Sequence, residues 1–343
     1  MKPSPQPLCK APFVQLLLAP NGNIHPCCYH FGYKLGTFRD SFDSIWNGKR
    51  IEKLRKELID HSPKICKSRI HNLQCHKNFE HFPVPTGLKP VFRDNIQKID
   101  IRLNGHCNLS CIMCDVWQQP NNLYNDSFFW NEGPEKIFPF IKEVEILGGE
   151  PLIQRDTYKF INAMIVINPD CQFSFVTNGS FPISKTLKST LSKIKLRRIQ
   201  ISIDAVTNDT YDQIRKGGVF SLVIDTLEYF ESLRETELPD LKLVASMCVV
   251  KQNFHEIEDF LKMCFQRRIE PELQFAFYDP SNKSSLLLWS KEEKKEALVK
   301  LSTLPNTYNT YLEEIKRPLL RSLESSWSYY LTRILVCRWW PPW

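Results

Sequence analysis

No stretch of this 343-residue chain offers the roughly 18 consecutive apolar residues that a bilayer-spanning helix needs, so no membrane span is expected. The opening residues, MKPSPQPLCKAPFVQ, contain neither a continuous apolar core nor a small-residue cleavage site. A secretion signal is therefore not expected, and the cytoplasm is the expected compartment. There is no low-complexity run and no internal repeat, and neither sign of charge dominates. The formal net charge of +7 would suit nucleic acid, an acidic peptide or a phosphorylated substrate, but it is too mild to choose among them. Basic residues such as Lys49, Arg50, Lys53, Arg55 and Lys56 read as the wet side of a helix.

Histidine is scarce beyond the first third of the chain: of eight, only His255 follows residue 107. Cysteine is unevenly placed too. Cys9, Cys27, Cys28, Cys66, Cys75, Cys107, Cys111 and Cys114 all precede residue 115. In a reducing compartment such clustering points to metal or catalysis rather than to disulfides. The remaining cysteines, Cys171, Cys248, Cys264 and Cys337, read as small buried hydrophobes or incidental thiols.

From about residue 96, short β-rich runs alternate with amphipathic stretches. The strand candidates are 96–103, 144–147, 173–177, 198–203, 241–250 and 273–278. Phe220, Val223, Ile224, Leu227 and Phe230 recur at helical spacing, as do Ile257, Phe260, Leu261 and Cys264. Such alternation implies right-handed crossovers and a parallel sheet, which six units could curve into a partial barrel. Ligands then sit at the C-terminal ends of the strands. Upstream, 14–19 and 24–28 flank Asn21-Gly22 as a hairpin, and a helix is expected over 42–59 with Ile45, Trp46, Ile51, Leu54, Leu58 and Ile59 as its apolar face. Pro83, Pro85, Gly87 and Pro90 mark a linker. The expected organisation is a module at 1–82, a linker at 83–95, an α/β core at 96–289 and a helical, aromatic-rich segment at 290–343.

The segment Cys107-Asn-Leu-Ser-Cys111-Ile-Met-Cys114 follows the first of the six strands. With 12 cysteines in 343 positions, chance places others at both +4 and +7 of some cysteine in roughly one or two per cent of such chains. Three thiolates on a short loop can hold three irons of a cubane cluster, leaving the fourth open to a cofactor. This CxxxCxxC resembles the hallmark of the radical S-adenosylmethionine (SAM) superfamily, and the resemblance spans about residues 96–280. It implies an α/β fold, a partial (β/α)6 barrel, in which Cys107, Cys111 and Cys114 hold a [4Fe–4S] cluster. The open iron then binds the amino and carboxylate groups of SAM, whose reductive cleavage yields methionine and a 5′-deoxyadenosyl radical that abstracts hydrogen from a substrate.

Further motifs fall in the family's order. Gly148-Gly149-Glu150-Pro151 ends the second strand, where glycines allow close backbone approach and Glu150 could accept from the SAM ammonium. Asn178 ends the third strand, and Ser202 and Asp204 end the fourth. Arg215 follows, where relatives use Ser and Arg for the SAM carboxylate, and Val249, Val250 and Asn253 lie where the family cradles adenosine. The residue before the last cluster cysteine, usually aromatic in the family, is Met113. Read singly, several of these residues have blander roles: GGEP as a strand-to-helix turn, Arg215 as a salt-bridged arginine, Asp204 and Asn178 as turn formers.

The stretch from Cys9 through Cys27-Cys28 to Ser44-Ile-Trp-Asn47 resembles the SPASM/twitch module, here preceding the radical SAM region. The resemblance covers about residues 8–78 and implies an auxiliary iron–sulfur cluster. Five cysteines cannot ligate two cubanes, so one cluster is expected, held by Cys9, Cys27 or Cys28, Cys66 and Cys75. Zinc or no metal, with His71 or His76 as ligands, is the alternative. Relatives with this module commonly modify peptides, which implies a peptide or protein substrate, a reductant such as flavodoxin or ferredoxin, and a substrate site that Trp327, Tyr329, Tyr330, Trp339, Trp340 and Trp343 could line. The alternatives are a sugar, small metabolite or RNA base as substrate, or a zinc-bearing nucleic-acid-binding protein without catalysis.

Overall fold

A computed structural model of the chain describes residues 7–28, 32–66, 96–119, 122–276 and 284–324. Cys75, His71, His76, the linker and the aromatic residues from 327 onward lie outside the described residues, as do Cys337 and the end of the sixth strand candidate at 277–278. The chain divides into two compact units. The first comprises Met1–His106, Gln119–Phe175 and Lys185–Leu196; the second comprises Cys107–Gln118, Val176–Ser184 and Arg197–Trp343. Among the described residues no helix is long and apolar enough to cross a membrane.

In the first unit the strands are β1 (Gln15–Leu18), β2 (Asn23–His25), β3 (Gly36–Thr37), β4 (Lys98–Ile101), β5 (Glu143–Ile146) and β6 (Gln172–Thr177), the last belonging to this unit through Phe175. Their order is β3-β2-β1-β4-β5-β6. The expected hairpin is β1–β2, with Gly22 at φ +79° in its turn, where a left-handed backbone favours glycine. It joins the sheet directly, because β1 pairs in parallel with β4 in the register Leu16↔Ile99. Pairing of β4 with β5 and of β5 with β6 is parallel too. One face of this sheet is apolar and fully buried, carrying Leu16, Leu18, Ile99, Ile101, Val144, Ile146, Phe173 and Phe175.

The helix expected over 42–59 is two helices, Phe42–Trp46 and Lys49–Ile59. Asn47 and Gly48 break it, with Gly48 in extended conformation as N-cap of the second. Ser41 caps the first by accepting from the Ser44 N–H. Arg55 is not on a wet face: it is fully buried, donating from Nε to the Pro12 carbonyl at 2.8 Å and from Nη1 to the Trp46 carbonyl at 2.7 Å. Its guanidinium also lies 4.5 Å from the Trp46 ring centroid, and desolvation lowers its pKa to about 9. Charge-based reading misplaces it because a guanidinium with two carbonyls and an aromatic face can be buried where a lysine would not.

In the second unit β7 (Lys195–Ser202, in this unit from Arg197), β8 (Lys242–Val249) and β9 (Glu270–Phe275) run parallel in that order. Helices Asn208–Ile214, Phe220–Thr236 and Ile257–Gln266 connect them. The apolar face expected for the last is confirmed by the burial of Ile257, Phe260, Leu261 and Cys264. Beyond residue 290 the helical pattern resolves into Lys291–Thr303, opened by a Ser290–Glu293 capping box, and Asn309–Glu324.

Candidate functional site

The three cysteines of the CxxxCxxC lie on an irregular loop of the second unit, and its backbone is tied to the segment around Arg215. The Ser110 N–H donates to the Lys216 carbonyl at 2.9 Å and the Ile112 N–H to the Ile214 carbonyl at 3.0 Å. Cys107 and Cys111 are partly buried and Cys114 is exposed. Cys107 Sγ accepts from the Leu109 N–H at 3.4 Å and from Asn178 Nδ2 at 3.6 Å. Burial pushes the Cys111 thiol up to about 12, with the Arg215 guanidinium pulling the other way. Binding iron therefore requires Cys111 to surrender a proton, as metal binding to thiols does generally. Three thiols on one short loop, two partly desolvated and one open, form a donor set that suits iron–sulfur ligation.

Asp204 is the hub beside this loop. It sits at φ +60°, a left-handed conformation that Asp tolerates better than most residues. Its Oδ2 accepts from Arg215 Nη2 at 2.7 Å and Nε at 2.9 Å, and its Oδ1 accepts from the Cys248 N–H at 2.7 Å. Asn253 closes the bracket, donating from Nδ2 to the Asp204 and Cys248 carbonyls at 2.8 and 3.0 Å while Oδ1 accepts from the Val250 N–H at 2.8 Å. Asp204 and Asn253 thus spend their polar atoms on protein and position Arg215 and the end of β8. Ser202 Oγ lies 3.3 Å from Ser246 Oγ on the next strand. Met113 packs with Ile112 and Cys248 against buried Ile214, Val250 and Ala276, and Val249 is fully buried.

Two participants escaped the sequence reading. Asn108 donates to the Ser180 carbonyl at 2.7 Å and accepts from Asn178 at 2.9 Å, which ties the cysteine loop to the end of β6. Cys248, read as incidental, has its thiol near Asp204, Arg215, Cys111 and Cys114, with desolvation pushing its pKa well up. A signal was available for Cys248: it alternates with Ser246 along β8, the same parity as the polar residues of that strand.

In the first unit the GGEP segment is fitted against the residues just before Cys107. The Gly149 N–H donates to the Asn104 carbonyl at 3.2 Å and the Glu150 N–H to the His106 carbonyl at 2.8 Å. A Cβ on Gly149 would stand 2.0 Å from the His106 carbonyl oxygen, and Gly148 holds φ +133°. Only glycines permit this approach. Glu150 is fully buried and caps the turn Pro151–Ile153 by accepting from the Leu152 N–H at 3.0 Å.

The double cysteine is divided. Cys9, Cys27 and Cys66 all pack against one core cluster of Ala11, Phe13, Val14, Leu54 and Leu58. Cys28 lies instead among Lys98, Asp100, Arg102 and Glu145, where desolvation and the two carboxylates push its thiol well up. Cys9, Cys27 and Cys66 thus border one apolar cluster, whereas Cys28 lies among charged side chains.

Residues 101–264 match the radical SAM superfamily, and residues 9–75 match the SPASM domain, described as an iron–sulfur cluster-binding domain. The chain thus carries a radical SAM domain together with a SPASM domain. The strands β4 to β9 alternate with helices, the α/β pattern expected of a radical SAM domain. A radical SAM domain implies a [4Fe–4S] cluster with SAM, and a SPASM domain implies auxiliary iron–sulfur clusters. A GTP 3′,8-cyclase of Listeria welshimeri is 29% identical over 202 residues, 56% of this chain and 57% of that protein. Another from Thermodesulfovibrio yellowstonii is 26% identical over 221 residues, 62% of this chain and 66% of that protein. The chain thus spans about three-fifths of the length of these curated relatives. Among solved structures, Streptococcus suis SuiB bound to S-adenosylmethionine superposes with a TM-score of 0.46 at 15% identity, covering 60% of this chain and 46% of that one.

Proposed function

We propose that this radical SAM enzyme binds SAM at the cluster held by Cys107, Cys111 and Cys114 and acts on a peptide or protein. The observation that carries the SAM site is the pair of backbone hydrogen bonds from Ser110 and Ile112 to Lys216 and Ile214, which fix the cysteine loop around Arg215. Bound together, cluster and SAM supply a 5′-deoxyadenosyl radical after one-electron reduction by a partner such as flavodoxin or ferredoxin. Arg215, held by Asp204, grips the SAM carboxylate, and Ser202 and Asn178 add polar contacts. Glu150 accepts from the SAM ammonium, while Gly148, Gly149 and Pro151 fix the turn that presents it. Met113, Val249 and Asn253 frame the adenosine. In the SPASM domain, Cys9, Cys27, Cys66 and Cys75 hold one auxiliary cluster.

Support for the peptide comes from the SPASM domain, whose relatives commonly modify peptides. Sequence likeness to GTP 3′,8-cyclases over 202 residues favours a second reading, in which the substrate is a small polar molecule. Anaerobic reconstitution followed by reductant and SAM tests the chemistry. Wild type should form 5′-deoxyadenosine and Cys107→Ala, Cys111→Ala or Cys114→Ala should form none; a fully reconstituted but inert wild type would refute the enzymatic reading.

A further inference from the structure

A cavity in the second unit is lined by none of the residues assigned to the cluster or to SAM. The loop after β8 supplies Phe254, one residue beyond Asn253. The turn Leu286–Leu288 leads to Trp289, and the segment before it is tied to the same loop. The Lys251 N–H donates to the Ser284 carbonyl at 2.8 Å, and Gln252 Nε2 donates to Ser284 Oγ at 3.0 Å. Trp289 meets Phe254 edge to face, with ring centroids 5.1 Å apart. Helix Lys291–Thr303 adds Glu293, Glu296, Ala297 and Lys300, whose spacing of three and four puts them on one face. These six residues line a cavity of about 230 Å³ that opens to solvent. Ala297 is 3% exposed, and its small side chain leaves space that a larger residue would fill.

Size and charge narrow what fits. Pockets that enclose a whole small-molecule ligand run to roughly 300 Å³ or more. A cavity of about 230 Å³ suits one side chain of a larger ligand, and the Phe254–Trp289 pair is complemented by an aromatic ring. The charges lining it are Glu293, Glu296 and Lys300, with Lys251 near Glu293 and Lys294 buried on the same helix. Glu293 is committed to the helix cap, where it accepts from the Ser290 N–H at 2.7 Å. Lys300 holds its ammonium 5.7 Å from the Phe254 ring centroid. Glu296 has neither a hydrogen bond nor an ion pair among the described residues, so it is the carboxylate left to hold a ligand cation. Two lining carboxylates against one ammonium oppose a triphosphate.

We propose that this cavity is a side-chain site for a peptide substrate, taking an aromatic residue against Phe254 and Trp289 and an adjacent basic residue at Glu296. This rests on the reading of the chain as a radical SAM enzyme acting on a peptide. Asn253, which donates to the Asp204 and Cys248 carbonyls, is the chain neighbour of Phe254. The cavity therefore holds the peptide at the C-terminal end of β8, the end at which ligands of such folds bind.

The test uses the reconstituted full chain with SAM in anaerobic equilibrium dialysis against two probes, GTP and a mixture of synthetic hexapeptides randomised at each position. Mass spectrometry sequences what is retained. Wild type should retain peptides enriched in an aromatic residue next to Arg or Lys. Ala297→Leu narrows the cavity and should weaken their retention by on the order of tenfold, the scale of withdrawing one ring from water. Glu296→Lys, at an exposed position, should keep the aromatic preference and turn the neighbour preference from basic to acidic, a change that loss of fold does not produce. Affinity for SAM and formation of 5′-deoxyadenosine should be unchanged in both variants. Retained peptides with no aromatic preference, or with preferences that neither variant alters, would overturn the cavity as their site while sparing the peptide reading. A wild-type dimer that Ala297→Leu abolishes would make a second copy the occupant and overturn the peptide there. Retention of GTP with no peptide, by protein that forms 5′-deoxyadenosine, would overturn the peptide reading itself, and retention of neither probe would overturn the site.

Discussion

Arg215 and Asp204 form a buried ion pair in which two guanidinium nitrogens, Nη2 and Nε, converge on one carboxylate oxygen, Oδ2, at 2.7 and 2.9 Å. The other oxygen holds the Cys248 N–H at the end of β8. One aspartate therefore links the arginine beside the cysteine loop to the next strand end, and with Asn253 it makes that corner rigid.

Replacing Asp204 by Asn should leave the guanidinium buried and uncompensated. Removing one member of a buried pair typically costs about 3–5 kcal/mol. Urea unfolding should register a loss of that order for Asp204→Asn, and SAM affinity should fall with it. An unfolding midpoint and a SAM affinity that both match wild type would show the pair to be dispensable.

Gly149→Ala places a methyl 2.0 Å from the His106 carbonyl oxygen, and backbone rather than a flexible side chain must give way. Overpacking of this sort costs about 1–3 kcal/mol. A lowered melting temperature together with weaker SAM binding is the expected result, because the shift moves the turn that carries Glu150.

Iron content distinguishes the adjacent cysteines. In a Cys107/Cys111/Cys114 triple-alanine background the auxiliary cluster should contribute about four irons per chain. Adding Cys28→Ala should leave them, since Cys28 lies among charged side chains, and adding Cys27→Ala should remove most of them. The reverse order would transfer the ligand role to Cys28.

Asp100 gives the fold a pH dependence of definite sign. Burial and the neighbouring Glu145 raise its carboxyl from 3.8 to about 6 against the pull of Arg102 and Lys98. A carboxyl raised in the folded state favours folding while protonated, so its contribution is complete below the unfolded value and is lost as pH rises through about 6. Between those limits the loss is about 3 kcal/mol. Unfolding free energies measured from pH 4 to pH 7 should show this decline in wild type and a flatter profile in Asp100→Asn.

Much of this site was legible along the chain because its parts are local. CxxxCxxC, GGEP and the alternation of strand and helix each depend on a few neighbouring residues, and the strand candidates coincide with β4 to β9 to within a few residues over their described lengths. The charged parity of Lys98, Asp100 and Arg102 was equally visible, but its meaning depends on burial, and nothing local says that both faces of β4 are covered. Arg55 misled for the same reason: its partners are the carbonyls of Pro12 and Trp46, the first far from it in sequence.

The sequence by itself determined the motifs that match a radical SAM domain and the alternation of strand and helix, since spacing of cysteines, glycines and apolar residues is a property of the chain. Tertiary structure decided the partners. It committed both oxygens of Asp204 to Arg215 and Cys248 and separated Cys27 from Cys28. Hydrogen bonds and desolvation depend on which groups meet in space, and only the pairing of β1 with β4 and of β7 with β8 brings these groups together.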